Sequence, residues 1–187
     1  MFWTFVVIVL LIILAAGYAI AIYNGLVTAR QRVNEAWSGI DVQLKRRTDL
    51  VPNLIETVKG YATHENELFE QVTRARALAS GARDAEPGQR AETEQSLGQA
   101  IGRLIAVAEN YPALRASENF QELQDALEET ENGIQHARRY FNGAVRVMNV
   151  KVQSFPGNMI AGRYGFTEAR FFELDAPSDR DLPKVGF

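Results

Sequence analysis

Twenty-nine residues pass before the first charged side chain, Arg30. Within them, 20 of the 22 residues from Met1 to Ile22 are apolar, and about 20 such residues are enough for a helix to cross the hydrocarbon core of a bilayer. A run of this kind predicts a single transmembrane helix. Past Ile22 the apolar share falls to about 41%, ordinary for a water-soluble domain. The chain of 187 residues therefore reads as an anchor, residues 1–25, joined to one soluble body of single-core size. The net charge of −3 predicts no nucleic-acid partner, since such binders carry a basic excess to displace counterions. The absence of cysteine excludes disulfides, thiolate catalysis and Cys-ligated zinc.

A cleaved signal peptide is the competing reading, because Ala19-Ile20-Ala21 has the small-x-small form of a cleavage site. No Lys or Arg precedes the apolar run, however, and the run exceeds a typical signal core, so the flanks favour an uncleaved span. The positive charges Arg30 and Arg32 follow the span and none precedes it. By the positive-inside rule the N-terminus faces out and the body stays in the cytoplasm. Trp3 at one end, with Tyr18 and Tyr23 at the other, suits interfacial aromatic belts, and Arg30 and Arg32 are placed for lipid head groups. Ala15/Ala19 and Gly17/Ala21 are small residues at four-residue spacing, either a face for close helix–helix contact or simple filler.

In the body, apolar residues recur at three and four positions from Leu26 to Ala79, predicting a long amphipathic helix over 26–79. Only Arg30, Arg47 and Glu65 interrupt its stripe, and Pro52 should kink or briefly break it. A turn over 80–88 precedes a second helix at 89–110, carrying Leu97, Ile101, Leu104 and Ala108. A third helix over 117–155 carries Phe120, Leu127, Ile134, Phe141, Val145 and Met148. The fold class predicted is all-α: an N-terminal transmembrane helix and an up-and-down antiparallel bundle spanning 26–156. The tail, 157–187, mixes glycines with Phe166, Phe171 and Phe172. Such aromatics are expected to pack on the bundle or on a neighbouring subunit, which makes them candidate assembly contacts alongside Ala15 and Ala19. The last dozen residues are expected to be mobile. Only Tyr23-Asn24-Gly25 separates the span from the body's stripe, so the two are expected to form one nearly continuous rod, softest at Gly25.

Longer blocks carry a family resemblance. Val33-Asn34-Glu35-Ala36-Trp37-Ser38-Gly39-Ile40-Asp41-Val42-Gln43-Leu44-Lys45-Arg46-Arg47, Asp49-Leu50-Val51-Pro52-Asn53-Leu54 and Val58-Lys59-Gly60-Tyr61 are similar to the N-terminal signature of the LemA family. Asn110-Tyr111-Pro112, Ala137-Arg138-Arg139-Tyr140-Phe141-Asn142 and Gly162-Arg163-Tyr164-Gly165-Phe166 resemble its C-terminal half. Met148 departs from that pattern by standing where the family favours a tyrosine. The resemblance implies a bacterial membrane protein with one N-terminal span and a cytoplasmic helical bundle, and it brings no established enzymatic activity. It also implies a role in membrane organisation or beside membrane proteases.

Motifs for chemistry are sparse. His64 and His136 lack the Glu-x-x-His or His-Glu-x-x-His context of a bundle or zincin metal site, so no metal and no cofactor are expected. Gly157 to Tyr164 has the glycine spacing of a phosphate loop, but Arg163 and Tyr164 replace its Lys and Ser/Thr, and packing is the favoured reason for these glycines. Lys45-Arg46-Arg47 would stand roughly 35 Å from the bilayer on a straight helix, beyond a Debye length of about 8 Å. Arg47 and Glu65 are candidate members of a seam ion pair. Arg47 either meets a third-helix carboxylate among Glu122, Asp125, Glu128, Glu129 and Glu131, or sits where the seam opens to solvent. These features predict a non-enzymatic, self-associating scaffold of the bacterial inner membrane, with lipid and further copies of itself as partners. The alternative is an accessory subunit of a membrane enzyme such as a protease, with that membrane protein as the partner.

Overall fold

The computed structural model describes residues 1–173. Six helices account for nearly all of them: α1 (Phe2–Lys59), α2 (Asn66–Gly81), α3 (Pro87–Ala108), α4 (Pro112–Arg115), α5 (Glu118–Gln153) and α6 (Gly157–Tyr164). No strand occurs among the described residues, and the fold is the all-α helical bundle with a long apolar N-terminal helix that the periodicity predicts. The last dozen residues lie outside the described part.

Helix α1 runs through Gly25 without interruption and also through Pro52, without the break that was one of the two expected outcomes there. A proline in a helix removes one N–H and strands the carbonyl four residues earlier. That carbonyl belongs to Thr48, and the Arg76 side chain of α2 supplies the missing donor: its Nε donates to Thr48 O at 3.0 Å. The first body helix instead ends at Lys59, and Gly60–Glu65 turn the chain back into α2. Tyr61 N and Ala62 N both donate to Val58 O (3.0 and 2.9 Å), closing the last turn, while Ala62 and Phe69 are buried beside Val58 in one core. The three-and-four spacing persists across this reversal, which is why periodicity reads 26–79 as one helix. Other boundaries also move: α3 begins with Pro87 in its first turn, as suits proline there, and Pro112 opens the single turn α4. The tail contributes the helix α6, where an irregular segment was expected.

The chain divides into two compact units, Met1–Trp37 with Tyr140–Arg170, and Ser38–Arg139 with Phe171 onward. In the first, the early part of α1, the late part of α5 and α6 share a core of Leu26, Ala29, Met148, Ala161 and Phe166, flanked by Ile22, Val33, Val152 and Ile160. Trp37 and Phe141 stack at 5.2 Å. Two glycines are dictated by geometry. A Cβ at Gly157 would lie 2.3 Å from the Lys151 carbonyl oxygen, so the α5–α6 corner closes only on glycine. Gly165 caps α6 with φ 72°, a left-handed conformation that costs glycine little, and Phe166 N donates back to Ala161 O at 3.0 Å. Beyond it, Asn149 holds the chain by two bonds to the Ala169 backbone, 2.8 and 3.0 Å.

In the second unit, α2, α3, α4, the late part of α1 and the early part of α5 enclose Val51, Leu54, Val58, Phe69, Val72, Leu97, Leu104, Leu114 and Phe120.

The Pro52 arrangement yields a double-mutant test. Arg76→Ala leaves a Thr48 carbonyl without a donor and should cost about 1–3 kcal/mol. In a Pro52→Ala background the restored N–H serves Thr48, so the same change should cost well under half as much. Thermal unfolding followed by circular dichroism measures both.

Candidate functional site

Charged side chains that interrupt an apolar seam need partners, and the second unit supplies them as a buried layer. Arg47 of α1 is 5% exposed and Glu94 of α3 is 2% exposed. Arg47 Nη2 donates to Glu94 Oε2 at 2.7 Å and to the Glu94 backbone carbonyl at 2.9 Å. Its Nη1 donates to Glu131 Oε2 of α5 at 3.1 Å. One guanidinium thus ties three helices, while its Nε has no acceptor among the described residues. Glu131 is among the third-helix carboxylates that the sequence offers. Glu94 is the partner that sequence reasoning missed, although its place one turn before Leu97 on the apolar face of α3 was a usable signal. Glu65 is not a partner of Arg47: α1 ends at Lys59, the chain turns back over Gly60–Glu65, and Glu65 stands at the N-cap of α2.

A second cluster lies alongside. Arg90, 3% exposed, donates from Nη2 to Asp41 Oδ1 at 2.6 Å and from Nη1 to the Arg83 carbonyl at 2.9 Å. Arg83 Nη2 reaches Asp41 Oδ2 at 3.0 Å. Burial raises the Asp41 pKa, but hydrogen bonds and charge from Arg90 and Arg83 outweigh it and hold the carboxyl below its usual range. The basic run is likewise consumed by pairing, Lys45 with Asp49 and Arg46 with Glu129 at 2.6 Å.

A groove of about 580 Å³ opens between α3 and α5. Arg47, Glu94 and Glu131 line part of it, and Ile101, Ile105 and Leu127 form apolar wall. Gly98 and Gly102, one turn apart on α3, also face it. A Cβ at Gly102 would meet nothing within 4 Å, so space and not tight packing adjoins this glycine. His64 is exposed in the α1–α2 turn, and His136 accepts a 2.9 Å bond from Arg139 at Nδ1. Among the described residues no group of three His, Asp or Glu side chains is placed to hold a metal ion.

The sequence-predicted interface residues lie in the first unit. Trp3 and Tyr18 are exposed. Tyr23, 36% exposed, also packs edge-on to Tyr164 and Phe166, with centroids 5.0 and 5.6 Å away. The Arg30 guanidinium stacks on Phe166 at 4.8 Å, and Arg32 is exposed. Of the candidate assembly contacts, Ala15 is exposed and Ala19 half-buried. Phe166 and Phe172 are buried within the chain, so neither offers surface to another copy, whereas Phe171 stays 38% exposed.

A family model for the LemA family matches residues 36–187. The chain belongs to the LemA family. Its relatives include Magnetosome protein MamQ 2 of Paramagnetospirillum magneticum, 24% identical over 86% of this chain and 68% of the relative. Magnetosome protein MamQ of Magnetospirillum gryphiswaldense is 23% identical over the same shares. Protein LemA of Metamycoplasma hominis is 24% identical over 88% of this chain and 77% of the relative. The matched stretch contains both charge clusters and the groove.

Because Arg47 and Glu94 are both buried, Glu94→Leu alone should cost about 3–5 kcal/mol by leaving a buried cation with its nearer carboxylate gone, whereas Arg47→Met with Glu94→Leu should come out near neutral. Chemical unfolding of the three proteins checks this order. Asp41 has a lowered folded pKa, so its contribution is present above the unfolded value of about 3.9 and is lost as pH falls through the folded value. Asp41→Asn should therefore flatten the acid limb of a melting-temperature profile below about pH 4 and leave its shape near neutrality unchanged.

Proposed function

We propose that this LemA-family protein is a non-enzymatic scaffold of the bacterial inner membrane that self-associates through its helical body. The N-terminal segment of α1 serves as the anchor: its most apolar window is 0% buried within the chain, a state that water penalises and a bilayer rewards. The placement of Arg30 and Arg32 after this segment, with no charge before it, supports an outside N-terminus and a cytoplasmic body.

The observation that carries self-association is an unpartnered stripe on α5. Tyr140, Val147 and Val150 are 60%, 46% and 54% exposed, and with Gly143 they fall at three- and four-residue spacings on one side of the helix, the pattern of a helix–helix seam. Gly143 has open space around it and allows close approach. Confinement of the anchored chains to one surface raises their effective concentration, so weak lateral contacts suffice. The charged side chains support a structural role, since Arg47 is engaged with Glu94 and Glu131, and Arg90 with Asp41.

The groove beside Gly98 and Gly102 favours a second reading, an accessory subunit that holds an apolar segment of a membrane enzyme such as a protease. Crosslinking in intact cells separates the two, since a scaffold forms mainly self-crosslinks and an accessory subunit forms a stoichiometric link to a foreign protein.

Detergent-extracted protein should exceed one copy per particle by mass photometry, and Val147→Asp with Val150→Asp should return it to one copy without loss of helicity. Wild-type protein that stays single at every concentration would contradict self-association.

A further inference from the structure

Exposed apolar side chains also cluster where the span ends. At the α5–α6 corner Phe155 is 79% exposed and Met159 65% exposed, with Tyr164 at 60%. This corner lies against α1 near Ala21: a cleft of about 340 Å³ is lined by Ala21, Ile22, Gly25, Leu26, Lys151 and Phe155, among others. Counted from Phe2, about 20 residues at 1.5 Å each cross the hydrocarbon core, which puts Ala21 and Ile22 at its boundary. Phe155 shares their cleft and therefore stands at head-group depth. In water its exposure is unfavourable; at the boundary, side chains of this kind enter the acyl layer while neighbouring polar groups stay wet.

Charge points the same way. The first unit carries six Lys and Arg side chains, Arg30, Arg32, Arg146, Lys151, Arg163 and Arg170, against two carboxylates, Glu35 and Glu168. The remaining chain carries 14 against 21. Lys151 lies beside α1, where a Cβ added to Gly25 would come within 3.2 Å of its Nζ, and it lines the same cleft as Phe155. Arg163 lies one turn after Met159 and is exposed. Basic side chains at this depth attract anionic head groups, an attraction that fades within a Debye length.

We infer that the α5–α6 corner is a second membrane contact, in which Phe155 and Met159 enter the interface of the bilayer that anchors α1 while Lys151 and Arg163 bind its anionic phospholipids. The inference rests on the anchoring reading of the apolar segment, and it adds a surface-bound foot to the span. The foot holds the membrane end of the first unit at two places, which restrains rotation of that unit about the α1 axis.

The absence of cysteine permits a direct test. Full-length single-cysteine variants Leu10→Cys, Asn158→Cys and Ser96→Cys are labelled with an environment-sensitive fluorophore and reconstituted into vesicles of phosphatidylglycerol and phosphatidylcholine. Quenchers are placed on the lipids near the head group or deep in the chains. The label at 10 should be quenched by the deep probe, the label at 158 by the shallow probe, and the label at 96 by neither. Quenching at 158 should be lost on adding Phe155→Asp and Met159→Asp, and should weaken in vesicles of phosphatidylcholine alone. If 10 is quenched and 158 behaves like 96, the foot is refuted and the anchor stands. If 10 is not quenched, the anchoring reading fails and the foot with it. Quenching at 158 that is equal with and without phosphatidylglycerol would overturn the assignment to anionic lipid.

Discussion

A helix satisfies its backbone polar groups within itself, as any segment that leaves water must, and α1 does so without a break from Phe2 to Lys59. Two residues threaten that ladder. Gly25 costs helix stability through backbone entropy, and at the same point Leu26 is buried and Tyr23 is held between Tyr164 and Phe166. Pro52 removes a donor, and Arg76 replaces it from a neighbouring helix. Everything else in the first unit depends on the first of these continuities, because the core around Leu26 and Ala29 forms only if α1 is helical through Gly25.

The charge layer of the second unit serves register more than stability. Carbon–carbon packing would bind α1, α3 and α5 as strongly as the Arg47–Glu94–Glu131 cluster, and a buried ion pair often gains little over an apolar substitute. Its geometry, however, accepts few alternatives. Arg47 must place one terminal nitrogen on Glu94 and the other on Glu131, and a slip of one turn would leave a buried cation beside apolar side chains. A three-and-four apolar stripe by itself tolerates such slips, so the charged interruption supplies the specificity that the stripe lacks. The lining of the groove by these same residues gives it a fixed polar end and an apolar wall.

Much of this was legible in the sequence because it depends on local pattern. The all-α class and the long apolar N-terminal helix follow from hydropathy and spacing, whereas spacing left both a paired and a solvent-open Arg47 possible, and the bonds to Glu94 and Glu131 decide between them. The reversal at Gly60–Glu65 was not legible, because Val58, Ala62, Phe69 and Val72 keep an almost unbroken spacing through a loop that happens to preserve helical phase. The passage of α1 through Pro52 was illegible for the opposite reason. The local rule was sound, and its remedy came from Arg76, 28 positions after the Thr48 whose carbonyl it serves. The tail aromatics were expected to cover either this chain or another, and only tertiary structure separates them: Phe166 and Phe172 turn inward, and Phe171 does not. Glu94 was marked only by its place on the apolar face of α3, one turn before Leu97, and its partner on α1 emerges only from tertiary structure.

The central claim is that the apolar N-terminal segment and the helix of the first unit are one uninterrupted element. Amide hydrogen exchange of the full-length protein in lipid nanodiscs, read residue by residue from Ala21 to Val33, tests it most directly. A continuous helix predicts slow exchange throughout that stretch, including Asn24, Gly25 and Leu26 just outside the hydrocarbon. Fast exchange confined to Asn24–Leu26, with slow exchange on both sides, would show a hinge there and contradict the account.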